Sequence, residues 1–357
     1  ARERAERLRG EISGGADPQR ERQTQREALT LAELIDRYMA ERVRPKKKAR
    51  TIELYTHYFT NKIGEKLRAK KAHDVTVADV DRLHRRLGEQ GHHVTANRVV
   101  VALSGVFTYA ARHQCVPDDF KNPCRSIEKF REEGRERYLL GEELARLGEA
   151  LRRAEKEGLA WPASWGGNSK HAYKPENRKT QFTPHVAAAF RLLLFTGCRL
   201  REILHLRWSE VDLERGLLLL PDSKTGRKTV VLNAPAMEVL AKLPRLGDFV
   251  VLGDHPSKPR ADLQKPWELL KHHASLGGVR VHDLRHTHAS IGAGAGLGLP
   301  IIGKLLGHKH HETTERYAHL DADPLRRASD RIGSAIAKAL GDKGQQSGAI
   351  IPLRASQ

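Results

Sequence analysis

Six side chains in the second half of this sequence have the types and order of a reactive centre. Arg199 lies where one apolar run ends at Gly197 and the next begins. Lys224 sits in Asp222-Ser223-Lys224-Thr225-Gly226-Arg227, between two apolar runs. His282 and Arg285 are spaced HxxR, about one helical turn, so both can point to one side. His308 follows Gly307, and Tyr317 follows within Thr313-Thr314-Glu315-Arg316-Tyr317-Ala318-His319-Leu320. Taken singly, each has an ordinary reading: a capping arginine paired with Glu202, an exposed turn lysine, a polar helix start, a helix-end histidine, a half-buried tyrosine. Taken together they offer two forked, permanently charged guanidiniums for an oxyanion. They also offer a phenol, which is a poor nucleophile while protonated because its reference pKa is about 10. Such a phenol needs a base and a cationic pocket.

Other chemistries find less support. No compact carboxylate cluster of the kind that holds paired catalytic metals stands out. Histidines number 19 and crowd the last third (His282, His286, His288, His308, His310, His311, His319), but no Cys pair or HExxH helix accompanies them. No GxxxxGK[ST] loop is present. Neither a metal nor a nucleotide cofactor is therefore expected. The 357 residues carry 63 Lys+Arg against 44 Asp+Glu, a formal net charge of +19. A polyanion partner, most simply nucleic acid, follows from that excess. No run of about 18 unbroken apolar residues exists to form a membrane-spanning helix. Three cysteines (Cys115, Cys124, Cys198) fit a reducing compartment, and a cytoplasmic, nucleoid-associated protein is expected.

The elements that must position these groups divide into two domains. Residues 1–12 read as a helix already in progress, so 1–28 are expected to be the linker from a missing upstream module. Residues 29–128 read as an all-helical domain. Thr30 caps a helix with Leu31, Leu34, Ile35, Tyr38 and Met39 on its apolar side. Thr76 and Asp79 cap a second, and Thr95 a third with Val99, Val100, Leu103, Val106, Phe107 and Ala110. Between the first two lies the run 42–50, with six basic residues in nine; Arg44, Lys46, Lys47, Lys48 and Arg50 are expected phosphate contacts. The highly charged, nearly core-free segment 129–137 reads as an interdomain linker. Residues 138–340 form the second domain, beginning with a helix at about 141–156, and 157–184 read as a long loop or insertion. Leu217–Leu220 and Thr229–Leu232 are expected to pair as a β-hairpin around Lys224. Residues 323–340 read as a further helix with Leu325, Ile332, Ile336 and Leu340 as apolar positions, and 341–357 as a flexible tail.

Four segments carry a resemblance. TGCRLREILHLRWSEVDLERG, DSKTGRKTVVL, HDLRHTHAS and LLGHKHHETTERYAHL follow the order of the catalytic motifs of the tyrosine recombinases, the phage integrase family. The motifs lie within about 185–320. The helical 29–128 segment is similar, by position and helix pattern, to that family's core-binding domain, and 1–28 to the segment after the arm-binding domain of prophage-type integrases. The implied fold is mainly α, a helical core-type DNA-binding domain plus a mixed catalytic domain with a small antiparallel β-sheet. The implied activity is site-specific DNA strand exchange through a 3′-phosphotyrosine intermediate, integrating or excising a mobile element. Matched residue by residue, Arg199 and Arg285 are the two phosphate-clamping arginines and Tyr317 the nucleophile. His282 is the expected base, with an unperturbed pKa of about 6.5. His308 would hydrogen-bond the phosphate. Lys224 would protonate the leaving 5′ oxygen, with Lys228 close enough to compete for that role. The implied partners are double-stranded attachment or core sites, three further copies in a tetramer on two sites, and accessory DNA-bending proteins. A catalytically silent DNA-binding homologue and a type IB topoisomerase-like strand breaker are the alternatives.

Overall fold

The computed structural model describes residues 28–132, 134, 136–162, 165, 178–223, 226–253, 255, 257–308, 310, 312–318, 332, 333 and 336. The expectations for residues 1–27, for Lys224 and for nearly all of the tail beyond 318 lie outside them. The chain divides into two units, Ala1–Gly134 and Arg135–Gln357.

In the first unit, α1 (Leu31–Tyr38) starts at a reciprocal cap. The Thr30 N–H donates to Glu33 Oε2 at 2.8 Å, and the Glu33 N–H donates to Thr30 Oγ1 at 3.2 Å. The helix widens over Met39–Val43, where the Arg44 N–H reaches back five residues to the Met39 carbonyl at 2.9 Å. The run 42–50 is only partly a loop: after a turn at 44–47, α2 (Ala49–Asn61) begins inside it and takes in Arg50. A one-turn α3 (Glu65–Arg68) leads to α4 (Val77–Glu89), whose Thr76–Asp79 cap forms as expected. The next helix, α5 (His93–Arg112), starts two residues before Thr95; the Ala96 N–H closes its first turn on the His92 carbonyl, so Thr95 is not the cap. By length and composition α5 is apolar enough to cross a membrane, yet Val99, Val100, Leu103, Val106 and Phe107 are the core of this unit. The expected core-free linker is anchored here. Phe130 is stacked between His84 and His93, with ring centroids 4.3 and 4.4 Å away, and exchanges backbone hydrogen bonds with the Asn97 amide.

The second unit opens with α6 (Gly141–Lys156), which buries Leu147, Ala150, Leu151 and Ala154. The segment read as a long loop has a closed base: β1 (Leu159–Ala160) pairs antiparallel with β2 (Lys179–Thr180). Then follow α7 (Pro184–Thr196), capped by Thr183, and the short α8 (Leu200–Leu204). The expected hairpin forms from β4 (Leu217–Ser223) and β5 (Gly226–Val231). A third strand, β3 (Val211–Asp212), adds to its edge in the order β3-β4-β5, and is too short to read from sequence. Leu218, Leu220 and Val230 face the core while Leu219 and Val231 face out, the period-two alternation of a half-buried sheet. α9 (Ala234–Lys242) and α10 (Gln264–His273) complete the main core around the fully buried Trp267. α11 (Asp283–Gly294), α12 (Leu299–Leu306) and the one-turn α13 (Glu312–Glu315) enclose a smaller cluster of Ala289, Ala293, Ile302, Leu306 and Tyr317.

Candidate active site

Arg285 is more deeply buried than Lys228 or Glu202, 4% exposed on the first turn of α11. Its Nη1 donates to the Gly197 carbonyl at 2.7 Å and its Nη2 to the Leu306 carbonyl at 2.9 Å. Both acceptors stand at helix C-termini, where carbonyls lack intrahelical partners and the dipole is negative. Burial first, then the neighbouring Arg199, lower the Arg285 pKa to about 10, which leaves it charged at neutral pH. Three of its five N–H donors remain for an anion. Gly197 makes this arrangement possible. It ends α7 at φ +61, and a Cβ there would lie 2.7 Å from the His288 ring.

Arg199 precedes α8 and is braced by Glu202. The Arg199 N–H donates to Glu202 Oε2 at 2.9 Å, and Nη1 pairs with Oε1 at 2.8 Å. The same carboxylate also holds Lys228, whose Nζ lies 3.3 Å from Oε2, with both side chains 5% exposed. Burial alone would raise the Glu202 pKa. Lys228 first, then the Arg199 N–H and guanidinium, outweigh it and hold the carboxyl below its ordinary value. Lys228 also packs beneath Gly307, the φ +70 residue ending α12, where a Cβ would meet Lys228 Cε at 2.7 Å. Of the two lysines weighed as proton donor, Lys228 is thus a buried partner of Glu202.

His308 follows that glycine. Its Nδ1 is 2.8 Å from Thr314 Oγ1. Burial, then Arg285 and Arg199, lower its pKa to about 4, so the ring is neutral at pH 7. With the Thr314 hydroxyl donating to Nδ1, Nε2 carries the hydrogen and can donate to an anion. His282 stands at the start of α11 and is exposed on the residue scale. Desolvation by surrounding protein, then Arg285, still lower its pKa. Tyr317 is 5% exposed, and burial raises its pKa against the pull of Arg316 and Arg285. The expected base, His282, is not the ring on its hydroxyl. His286 is: its Nδ1 lies 2.6 Å from the Tyr317 oxygen. Sequence reading passed over His286, although it stands four residues after His282 on the same helical face, the spacing that makes neighbours.

Arg199, His282, Arg285, His308 and Tyr317 are therefore assembled in the second unit. Among the described residues, no group of three or more His, Cys, Asp or Glu is arranged to hold a metal ion. In the first unit Arg44, Lys46, Lys47, Lys48 and Arg50 are all exposed. Arg50 pairs with Glu53 at 2.9 Å. Lys46 and Lys47, with Arg42, Arg112 and His113, line a cavity of about 400 Å³ beside Tyr38.

The phage integrase family matches residues 174–323, which contain every one of these catalytic candidates. The chain is 32% identical over 160 residues to the tyrosine recombinase XerA of Thermococcus kodakarensis, a match covering 42% of this chain and 56% of that protein. The chain thus spans about half the length of that curated relative. Its fold is that of the integrases. The Tn1549 transposon integrase in complex with transposon right end DNA covers 85% of this chain and 100% of its own at a TM-score of 0.62 and 18% identity. A lambda integrase tetramer bound to a Holliday junction covers 86% of this chain and 87% of its own at a TM-score of 0.60 and 18% identity. The mainly helical architecture with small antiparallel sheets is the tyrosine recombinase fold, as expected from the sequence.

Proposed function

We propose that the protein is a site-specific DNA recombinase that breaks and rejoins DNA through a 3′-phosphotyrosine bond and moves a mobile element. One observation carries the reading: a buried tyrosine hydroxyl, hydrogen-bonded to a neutral imidazole, shares a cluster with two arginines whose remaining N–H groups are unspent. Arg199 and Arg285 would clamp the nonbridging oxygens, whose negative charge grows as Tyr317 attacks. The Nε2–H of His308 would donate to the same phosphate. Lys224, which falls between β4 and β5 in the sequence, would protonate the departing 5′ oxygen. The covalent bond keeps the energy of the phosphodiester, so the 5′ hydroxyl of a second strand can reverse the step on a new partner without ATP.

The finer reading concerns assembly. Four copies on two core sites, with accessory DNA-bending proteins, would exchange their C-terminal segments. Ile332 and Ile336 are exposed, and an apolar cavity of about 800 Å³ in the second unit is lined by Leu144, Leu151, Leu194, Val231, Ile291 and Leu297. These features support residues 323–340 of a second copy as its occupant. The exposed basic residues Arg44, Lys46, Lys47, Lys48 and Arg50 would contact phosphates of the core site. The deciding experiment supplies two copies of the attachment sequence flanking the gene, in EDTA and without nucleotide. Recombinant joints are the expected product. Relaxation of supercoils at any sequence, with no requirement for two sites, would instead favour a topoisomerase.

A further inference from the structure

We propose that His286, rather than His282, takes the proton from Tyr317. The inference rests on the reading of Tyr317 as the nucleophile and adds the group that activates it. Tyr317 is buried in a cluster with Ala289, Ala293, Ile302 and Leu306, none of which can accept a hydrogen bond through its side chain. His286 Nδ1, at 2.6 Å, is the acceptor it has among the described residues. A buried hydroxyl proton left without an acceptor is costly, so the phenol donates and Nδ1 carries the lone pair. That tautomer is the one a general base requires, already within transfer distance.

The surroundings keep the ring in its accepting form. On its own helix His286 faces His282, Asp283 and Arg285; from the segment after α13 it faces Arg316 and Tyr317. Burial first, then His282 and Arg316, lower its pKa to about 4. It is therefore unprotonated through the neutral range. His282 cannot serve as well from where it stands. Its ring is perpendicular to that of His286, with centroids 5.1 Å apart, and its residue is open to solvent. That location suits a second station, carrying the proton from the enclosed His286 toward water. In the step itself the Tyr317 O–H bond breaks toward Nδ1 and the phenolic oxygen bonds to phosphorus. The bond from phosphorus to the 5′ oxygen breaks, and that oxygen takes a proton from the Lys224 ammonium. Proton and charge balance within the site.

The test uses the full-length protein on nicked DNA carrying a 5′-bridging phosphorothiolate at the cleavage position. Its sulfur leaves without a proton, so the rate reports the nucleophile side alone. His286→Gln keeps a hydrogen-bond acceptor for the hydroxyl but cannot take a proton at neutral pH. It should bind DNA normally and cleave at least about a hundredfold more slowly, since general bases contribute about 10²–10⁴-fold. Its rate should climb with pH through the alkaline range, where the wild-type rate is flat, because the phenol must then ionise unaided. His286→Ala should be rescued by added imidazole. Cleavage by His286→Gln within threefold of wild type, an unaltered pH profile, or the same change appearing in His282→Gln instead would overturn the proposal. Failure of the wild-type protein to form any adduct would count against the reading of Tyr317, which is a separate result.

Discussion

Glu202 holds two cations at once, and replacing it with glutamine tests how the arginine clamp is built. The substitution keeps the shape and leaves an acceptor for Arg199, but it strips the charge facing the Lys228 ammonium 3.3 Å away. At an effective dielectric of about 20, a pair at that separation attracts by roughly 5 kcal/mol before desolvation is counted. Breaking a buried pair from one side costs about 3–5 kcal/mol, because the surviving charge is stranded. For a unit of this size each kcal/mol moves the melting temperature by about 2–4 °C, so Glu202→Gln should melt roughly 6–20 °C lower. Lys228→Met should cost less, about 1–3 kcal/mol, since Glu202 keeps the Arg199 guanidinium at 2.8 Å and its N–H at 2.9 Å. The double variant no longer strands the buried Lys228 ammonium and leaves only the more exposed Arg199 without its carboxylate, so it should be more stable than Glu202→Gln alone. All four tryptophans (Trp161, Trp165, Trp208, Trp267) lie in the second unit, so their fluorescence reports its unfolding in the intact chain. A Glu202→Gln melting point within 2 °C of wild type, or single costs that simply add, would refute the buried three-way pairing.

Three further outcomes follow. Because His286 and His308 titrate at about 4 in the folded chain against an ordinary 6.5, the unfolded chain binds more protons between those values. Stability should therefore be full above pH 6.5 and fall as pH drops toward 4; the urea midpoint of tryptophan fluorescence measures this, and His308→Gln should flatten the slope. Changing Lys46, Lys47 and Lys48 together to Ala should weaken binding to many sequences alike and reduce the salt dependence by about 0.9 per lost phosphate contact, read from affinity at several salt concentrations. Truncation after Leu320 should leave single-site binding nearly intact while abolishing tetramers in native gels on paired sites, and full-rate recombination by the truncated chain would contradict the assembly reading.

What the sequence revealed was local. Thr30 with Glu33 and Thr76 with Asp79 are reciprocal caps that can be read from three-residue spacing, and both form. The strand-like runs Leu217–Leu220 and Thr229–Leu232, with turn residues between them, foretold the hairpin. α2 was missed because Pro45 and the lysines look like loop, while its apolar positions Ile52, Tyr55 and Phe59 are thinly spread among polar ones. The anchoring of Phe130 was missed because its partners, His84, His93 and Asn97, are polar residues that do not announce a core. In the site, residue types and order singled out both arginines, His308 and Tyr317 as candidates. They did not reveal which imidazole reaches a tyrosine 31 residues away from His286, since i,i+4 spacing puts His282 and His286 on one face without saying which meets the partner. The division between Lys224 and Lys228 was equally hidden: only packing against Glu202 and Gly307 assigns Lys228 a buried pair.

The central claim is that Tyr317 becomes covalently joined to DNA. Wild-type protein and Tyr317→Phe, incubated in EDTA with nicked DNA that traps the cleaved strand, give the most direct measurement. The account predicts an SDS-resistant protein–DNA adduct for wild type, with the 3′ phosphate mapped to Tyr317 by mass spectrometry. It predicts none for Tyr317→Phe, at equal DNA binding and unchanged melting temperature. An adduct formed by Tyr317→Phe, or a wild-type adduct mapped to another residue, would contradict it.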